Sequence, residues 1–283
     1  MTEKTMPSKT IAIAVVGDTH CGSTLGLCPE EGVKLPEGGR YIPSHAQLWL
    51  WEKWLDYWAW VEEVRSQYKA KLYGIVNGDA VDGGAHHGQV QFITADSEAQ
   101  AYIATAALDP MRQTVRKHKG KFWFLKGTRV HVGSDEEALA KWFGAEREPE
   151  TDAWARYILK LELYGVRIDV RHHMAVGTSR PWLEGNPANI AAAMIFVEHA
   201  RKGRPHPHLA LRSHKHKTSD SFDNQPTRCI CLPAWQLATD FVHKIAPESI
   251  ADIGGVVVVV EPDGRCTVHK RLYTPDAPPT YRE

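Results

Sequence analysis

No stretch of this chain is apolar for long enough to cross a bilayer. The longest strongly apolar run, residues 254–260, is far short of the ~20 residues that a spanning helix needs. The first ten residues carry no apolar core of the kind a secretory signal has, so the expectation is a cytoplasmic protein with no membrane partner. An excess of one charge is also missing. The 34 Lys and Arg are matched by 34 Asp and Glu, for a formal net charge of +0. That removes the long-range field that draws whole proteins to nucleic acid or anionic lipid, though a local basic patch remains compatible. Cysteine is sparse: Cys21, Cys28, Cys229, Cys231 and Cys266 are an odd set without framework spacing, which excludes a disulfide scaffold and implies free thiols. Cys229-x-Cys231 can bind metal in principle, but two neighbouring strand residues is the simpler reading. Internal repeats, low-complexity tracts and a convincing linker are absent too, so residues 1–283 read as one domain.

What is present is a chain that is 43% hydrophobic and 24% charged, enough to build a sizeable core. Its most informative stretch is Ile11-Ala-Ile-Ala-Val-Val16 followed by Gly17-Asp18-Thr19-His20. The apolar run reads as a buried strand whose polar residues come only at its carboxyl end. Residues two apart in extended chain point the same way, so Asp18 and His20 are expected to aim at one point beyond the strand. A carboxylate and an imidazole converging there make half of a divalent-metal site. The competing reading is an ordinary surface turn.

A Gly- and Pro-rich loop over 23–43 is followed by Ser44, an N-cap candidate with Gln47 as capping-box partner. The predicted helix, His45 to Tyr68, carries five of the ten tryptophans. Leu48, Trp51, Leu55, Trp58 and Val61 are expected on one face, with Trp49, Trp54 and Trp60 off it. Core packing is the main reading; a base-stacking platform or a subunit interface is the alternative. Loop and helix together form an insertion at about 23–69.

Further strand ends supply further ligand candidates. Lys71–Asn77 runs into Gly78-Asp79-Ala80-Val81-Asp82, with His86-His87 beyond it in a loop. A helix over Asp96–Lys117 is divided or kinked at Pro110. Lys121–Leu125 ends in Gly127-Thr128-Arg129-Val130-His131, and Ser134 is a candidate cap for a helix Asp135–Phe143 stopped by Gly144. A hairpin over Ile158–Tyr164 and Val166–His172 turns at Gly165 and delivers His172-His173. Asn186 reads as cap of the next helix, with Pro187 in its first turn. Leu209–Ser213 empties into His214-Lys215-His216, Cys229–Leu232 is another strand, and Val256–Val260 pairs with Cys266–Leu272 across Glu261–Gly264. Ligands gathered at carboxyl ends of strands are what an open α/β sheet offers at its binding edge. The mixture of carboxylates and imidazoles suits two divalent ions such as Mn, Fe or Zn, whereas Ca or Mg alone would prefer more oxygen.

The order of these blocks resembles the calcineurin-like metallophosphoesterase superfamily, whose pattern is Asp-x-His, Gly-Asp-x-x-Asp, Gly-Asn-His-Asp/Glu, a lone His, and Gly-His-x-His. Gly17–His20, Gly78–Asp82 and Ser213-His214-Lys215-His216 match the first, second and last blocks, over roughly residues 11–260. The Trp-rich insert, Gly127-Thr128-x-x-His131-Val-Gly133 and Pro233-x-Trp235-Gln236 look like the branch found in bacteriophage and prophage genomes. The resemblance implies an α/β fold, a four-layer α/β/β/α sandwich with two mixed sheets. It implies that Asp18, His20 and His216 hold a first metal, that Asp79 bridges, and that His172 (with His173 as the alternate) and His214 hold a second. Asp82 would be a supporting hydrogen-bonder. The third block departs from the pattern: Thr128 stands where a ligand Asn is expected and Arg129 where the catalytic His is expected. His131 is the candidate to replace either, as ligand or as general acid, and Arg129 is a candidate clamp for a phosphate oxygen or else a surface charge.

The activity so implied is hydrolysis of a phosphate ester, a phosphomonoester or a phosphodiester, nucleic acid included. Two ions sharing a water lower its pKa and neutralise the phosphoryl oxygens, and a histidine near the leaving oxygen can protonate it. Local support for a nuclease is limited to Arg201, Lys202, Arg204, Lys215 and Lys217. The alternative is a degenerate, non-catalytic relative that binds metal, or a partner or second copy through the Trp-rich helix.

Overall fold

The computed structural model describes residues 9–35, 38–84, 91–129, 135–174, 181–276 and 280. Its strands are β1 (Ile11–Val16), β2 (Val33–Lys34), β3 (Arg40–Tyr41), β4 (Lys71–Asn77), β5 (Phe122–Leu125), β6 (Ala155–Arg156), β7 (Leu159–Leu163), β8 (Val166–Val170), β9 (Leu209–Arg212), β10 (Ser219–Asp220), β11 (Arg228–Cys231), β12 (Ile253–Val260) and β13 (Cys266–Tyr273). The helices are α1 (His45–Gln67), α2 (Ser97–Ala107), α3 (Asp109–Lys117), α4 (Asp135–Phe143), α5 (Asn186–Arg201) and the short α6 (Asp240–Ile245). Among the described residues no helix is long and apolar enough to cross a membrane.

The strands form two mixed sheets and a separate two-stranded antiparallel ribbon, β2-β3. The larger has the order β13-β12-β1-β4-β5-β6, with β1, β4, β5 and β6 parallel and the β12–β13 hairpin antiparallel at its edge. The smaller has the order β10-β11-β9-β8-β7, with β8, β9 and β11 parallel and β7 and β10 antiparallel at its rims. Strand alternation divides β1 between two cores. Ala12, Ala14 and Val16 pack with Leu50 and Trp54 of α1, Ile103 of α2, Met111 of α3 and Phe143 of α4. Ile11, Ile13 and Val15 pack with Ile168, Leu209 and Ile230 of the smaller sheet. A third cluster joins that sheet's other face, Ala210, Cys229 and Cys231, to Ala188, Ala191 and Ala192 of α5. Cys229 and Cys231 are thus core residues of one strand face, and burial raises both thiols well above their usual range.

Helix α1 begins with the capping box expected of Ser44 and Gln47. Its buried face differs from the expected one. Leu48 and Leu55 are 40% and 43% exposed, while Trp54, expected off the stripe, is wholly buried. The face that enters the core is Leu50, Trp51, Trp54, Tyr57, Trp58, Val61 and Val64. The aromatics decide the rotation. Trp54 meets Trp235 and Trp58 edge-on at centroid distances of 4.8 and 5.4 Å, and Tyr57 Oη donates to the Val256 carbonyl on β12 at 3.0 Å. The long helix predicted over 96–117 is two helices meeting at Leu108, with Pro110 in the first turn of α3, where its missing N–H costs nothing. Asn186 lies inside the first turn of α5; Gly185 is the N-cap and no side chain caps that end. The short strands β2, β3, β6 and β10 and helix α6 were not expected, being too short to show periodicity.

Candidate metal centre

The parallel strands β1, β4 and β5 release their chains beside the carboxyl ends of β8 and β9. Asn77, the last residue of β4, joins the two sheets there: its buried amide donates to Ser213 Oγ at 2.8 Å and to the Arg171 carbonyl at 3.2 Å. The chain after β1 then runs beside the chain after β4, with Asp18 N–H donating to the Gly78 carbonyl at 2.9 Å and His20 N–H to the Asp79 carbonyl at 3.0 Å.

Convergence of Asp18 and His20 does not come from strand pleating, as the sequence suggested, because β1 ends at Val16. Asp18, His20, Asp79, His214 and His216 all have left-handed backbone, with φ of 51, 42, 50, 75 and 52°. Each such non-glycine residue costs roughly 1–3 kcal/mol, and strain of this kind clusters at functional sites. Two glycines make the close approach feasible. A Cβ on Gly78 would run into the His172 ring, and one on Gly127 would run into the Asp79 carboxylate.

Three sets of side chains bring ligand atoms within 4.8 Å of one another: Asp18, His20 and His216; His172, His173 and His214; and Asp18, Asp79 and His172. In the first set His216 Nε2 lies 3.3 Å from Asp18 Oδ1 and 3.2 Å from His20 Nε2. Asp79 stands between the sets, its Oδ2 lying 3.9 Å from His20 Nε2 and 3.1 Å from His172 Nε2. Thr128 closes the far side: its N–H donates to Asp79 Oδ1 at 2.6 Å, and its hydroxyl lies 3.2 Å from both Asp79 Oδ2 and His214 Nδ1.

Nδ1 of three of these histidines is anchored. His20 Nδ1 bonds Asp82 Oδ1 at 3.0 Å, His172 Nδ1 bonds the Asn77 carbonyl at 2.7 Å, and His214 Nδ1 bonds the Thr128 hydroxyl. A ring that donates from Nδ1 carries its lone pair on Nε2, the arrangement a metal-ligating imidazole requires. His172 Nε2 is buried and faces Asp79 Oδ2 at 3.1 Å. The set, two carboxylates with several imidazoles whose Nε2 atoms converge, fits a divalent cation of the Mn, Fe or Zn type.

The charges of the metal-free site are what such crowding dictates. Burial pushes His172 down, but contact with Asp79 and the nearby Asp18 charge outweigh it and hold the ring up at about 9. Burial and the His172 charge push His214 down to about 4 and lower His173 as well. Burial would raise Asp18, yet its bond and charge interaction with His216 hold it below the usual carboxylate range. Burial opposes protonation of His20, and Asp82 and Asp79 override it.

Asp18, His20, Asp79, His172, His173, His214 and His216 therefore meet at one edge. Arg129 is exposed, while His131, His86 and His87 lie outside the described residues. Lys215 and Lys217 flank His216, and Lys217 pairs with Glu184 and Asp252 at 3.3 and 3.5 Å. Arg201, Lys202 and Arg204 lie before β9, and so at the opposite end of that strand from His214. The five basic residues do not make one patch.

Sequence reasoning missed three supports. Asn77 is one. Glu136, in the first turn of α4, accepts from Gly127 N–H at 2.7 Å and Ala80 N–H at 3.4 Å, tying the Thr128 loop to the Asp79 loop. Gln236 donates to Asp82 Oδ1 at 3.2 Å and so backs His20. An Asn at a strand end and a Gln after Pro-x-Trp were visible signals; nothing distinguished Glu136 from Glu137.

No family model matches the chain, and no curated protein matches it. Among the solved structures to which the chain is similar are a hypothetical protein from Pyrococcus horikoshii OT3 (8% identity, TM-score 0.42, covering 92% of this chain and 87% of that one) and a dimetal phosphatase from Danio rerio (10% identity, TM-score 0.42, covering 94% and 97%). At these values neither assigns a function.

Proposed function

We propose that this chain is a dinuclear-metal phosphoesterase of the calcineurin-like superfamily, of the branch found in bacteriophage and prophage genomes. Its two sheets and flanking helices would then be the four layers of an α/β/β/α sandwich forming one cytoplasmic domain. The observation that carries this reading is the position of Asp79: one carboxylate between two histidine-rich ligand sets, all on the carboxyl edges of two facing sheets. Asp18, His20 and His216 would hold one ion, His172 and His214 the other, and Asp79 both.

Two divalent ions held there supply a water of lowered pKa and offset the charge of the phosphoryl oxygens. The chain's own contribution is placement. Asp82 and Gln236 fix the His20 ring, Asn77 fixes His172, and Thr128 fixes both Asp79 and His214. His131 is the proposed proton donor to the leaving oxygen, with Arg129, exposed beside Thr128, as a clamp for a phosphate oxygen.

The test is hydrolysis of an aryl phosphomonoester and an aryl phosphodiester by protein loaded with Mn²⁺ or Zn²⁺, beside Asp79→Asn. Turnover of either ester that Asp79→Asn abolishes supports the reading; no turnover of either contradicts it. A non-catalytic metal-binding relative is favoured by one feature, Thr128-Arg129 in place of Asn-His. It predicts bound ions without turnover. A nuclease role additionally requires DNA binding that weakens steeply with salt.

A further inference from the structure

The third motif lacks its amide ligand, and the described residues beside it contain one imidazole more than the six-residue set assigned above requires. His172, His173 and His214 bring their ligand atoms within 4.8 Å of one another. The His173 ring centroid lies 4.8 Å from that of His172 and 4.8 Å from that of His214. Strand β8 ends at Val170, so the two adjacent histidines lie past the strand and escape its alternation. His172 is buried and His173 exposed, and they approach the same point from inside and outside.

Thr128 is poorly placed to act as the ligand itself. Its hydroxyl has one proton and lies at 3.2 Å from both Asp79 Oδ2 and His214 Nδ1. Donating to the carboxylate and accepting from the ring commits its proton and one of its two lone pairs to positioning neighbours, and leaves the lone pair of His214 on Nε2. Thr128 therefore positions two ligands, and the coordination place an amide would fill is left to another group.

We propose that His173 fills that place, making the second cation position a three-imidazole site completed by Asp79. This rests on the two-metal reading above and deepens it. It has a consequence for the ion. Asp18 and two imidazoles serve the first position, whereas three imidazoles and one shared carboxylate serve the second. Nitrogen-rich sites favour Zn over Mn more strongly than oxygen-containing ones. The second position is thus the more selective for Zn²⁺.

The experiment is equilibrium titration of the metal-free full-length protein with Zn²⁺ and with Mn²⁺ against a chromophoric chelator, counting ions per chain and reading each affinity. Wild type, His173→Ala, His131→Ala and the double variant Thr128→Asn/His173→Ala are compared, with thermal melts confirming that each folds. The expected result is two Zn²⁺ in wild type and His131→Ala. In His173→Ala the second ion should bind at least tenfold more weakly and the first unchanged, and Thr128→Asn should restore the second. Two ions held by His173→Ala as tightly as by wild type would overturn the assignment of His173 alone, as would loss of the second ion in His131→Ala with none in His173→Ala. Wild type that takes up no ion would overturn the two-metal reading with it.

Discussion

The two histidine-bearing clusters lie on either side of Asp79 but are built differently. The first, Asp18, His20 and His216, joins a buried carboxylate to imidazoles, and His20 is held from behind by Asp82 and then Gln236. The second, His172, His173 and His214, contains no carboxylate of its own, has one exposed member, and is held by neutral groups, the Asn77 carbonyl and the Thr128 hydroxyl, with Glu136 tying the loops at Gly127 and Ala80. A carboxylate braces the first; a carbonyl and a hydroxyl brace the second. The difference teaches that similar donor groups at one sheet edge need not make equivalent positions, and the dinuclear reading proposed above therefore predicts two ions that differ in affinity and in response to mutation.

Removing what the sets share should have the largest effect. Under the proposed dinuclear phosphoesterase reading, Asp79→Asn is expected to weaken both ions and to lower ester turnover by ~10³-fold or more, since that reading makes both positions and the charge they supply depend on it. Loss of only one ion in a titration would show that Asp79 belongs to a single set. Next comes the brace of the first set alone. Asp82→Ala should cost ~10–100-fold in affinity for one ion and leave the other within a factor of two or three, the usual range for a partner that orients a ligating histidine. Equal weakening of both would erase the distinction.

A third prediction concerns the loops that carry Asp79 and Thr128 and is read as a pH slope of stability rather than as metal affinity. Burial, then the Asp79 charge, raise the Glu136 carboxyl from 4.5 to about 8 in the metal-free protein. Between those values the folded state keeps a proton that the unfolded chain has lost, so the stability of the wild type falls as pH rises through that window and levels off above it. Glu136→Gln lacks this group, and its stability relative to wild type should therefore rise with pH from 5 to 8, by at most ~1.4 kcal/mol per unit. Chemical denaturation with chelator present checks this; parallel curves would mean that Glu136 is ionised throughout.

These supports also mark what was legible in the sequence. Strands ending in Gly-Asp or in His-x-His could be read because the buried runs are apolar and change character abruptly at their ends, as β1 does after Val16 and β9 after Leu211. The capping box of α1 is local, and it was legible to the residue. The rotation of α1 was not, because a helix with apolar side chains on most sides takes its buried face from its neighbours, here Trp235 and β12. The left-handed backbone at Asp18 and His20 was hidden for a related reason: it is imposed by bonds to Gly78 and Asp79, sixty residues away in the chain. Asn77 and Glu136 act across sheets and between loops, and pairing at that range leaves no periodic trace in one sequence.

The central claim is that Asp79 lies between two cation positions. A crystal structure of the protein grown with Mn²⁺ or Zn²⁺, with anomalous difference maps collected at the metal edge, tests it most directly. The account predicts two peaks, one against Asp18, His20 and His216 and one against His172 and His214, with a carboxylate oxygen of Asp79 in the coordination shell of each. A single peak that Asp79 does not touch, or ions bound elsewhere with these side chains turned apart, would contradict it.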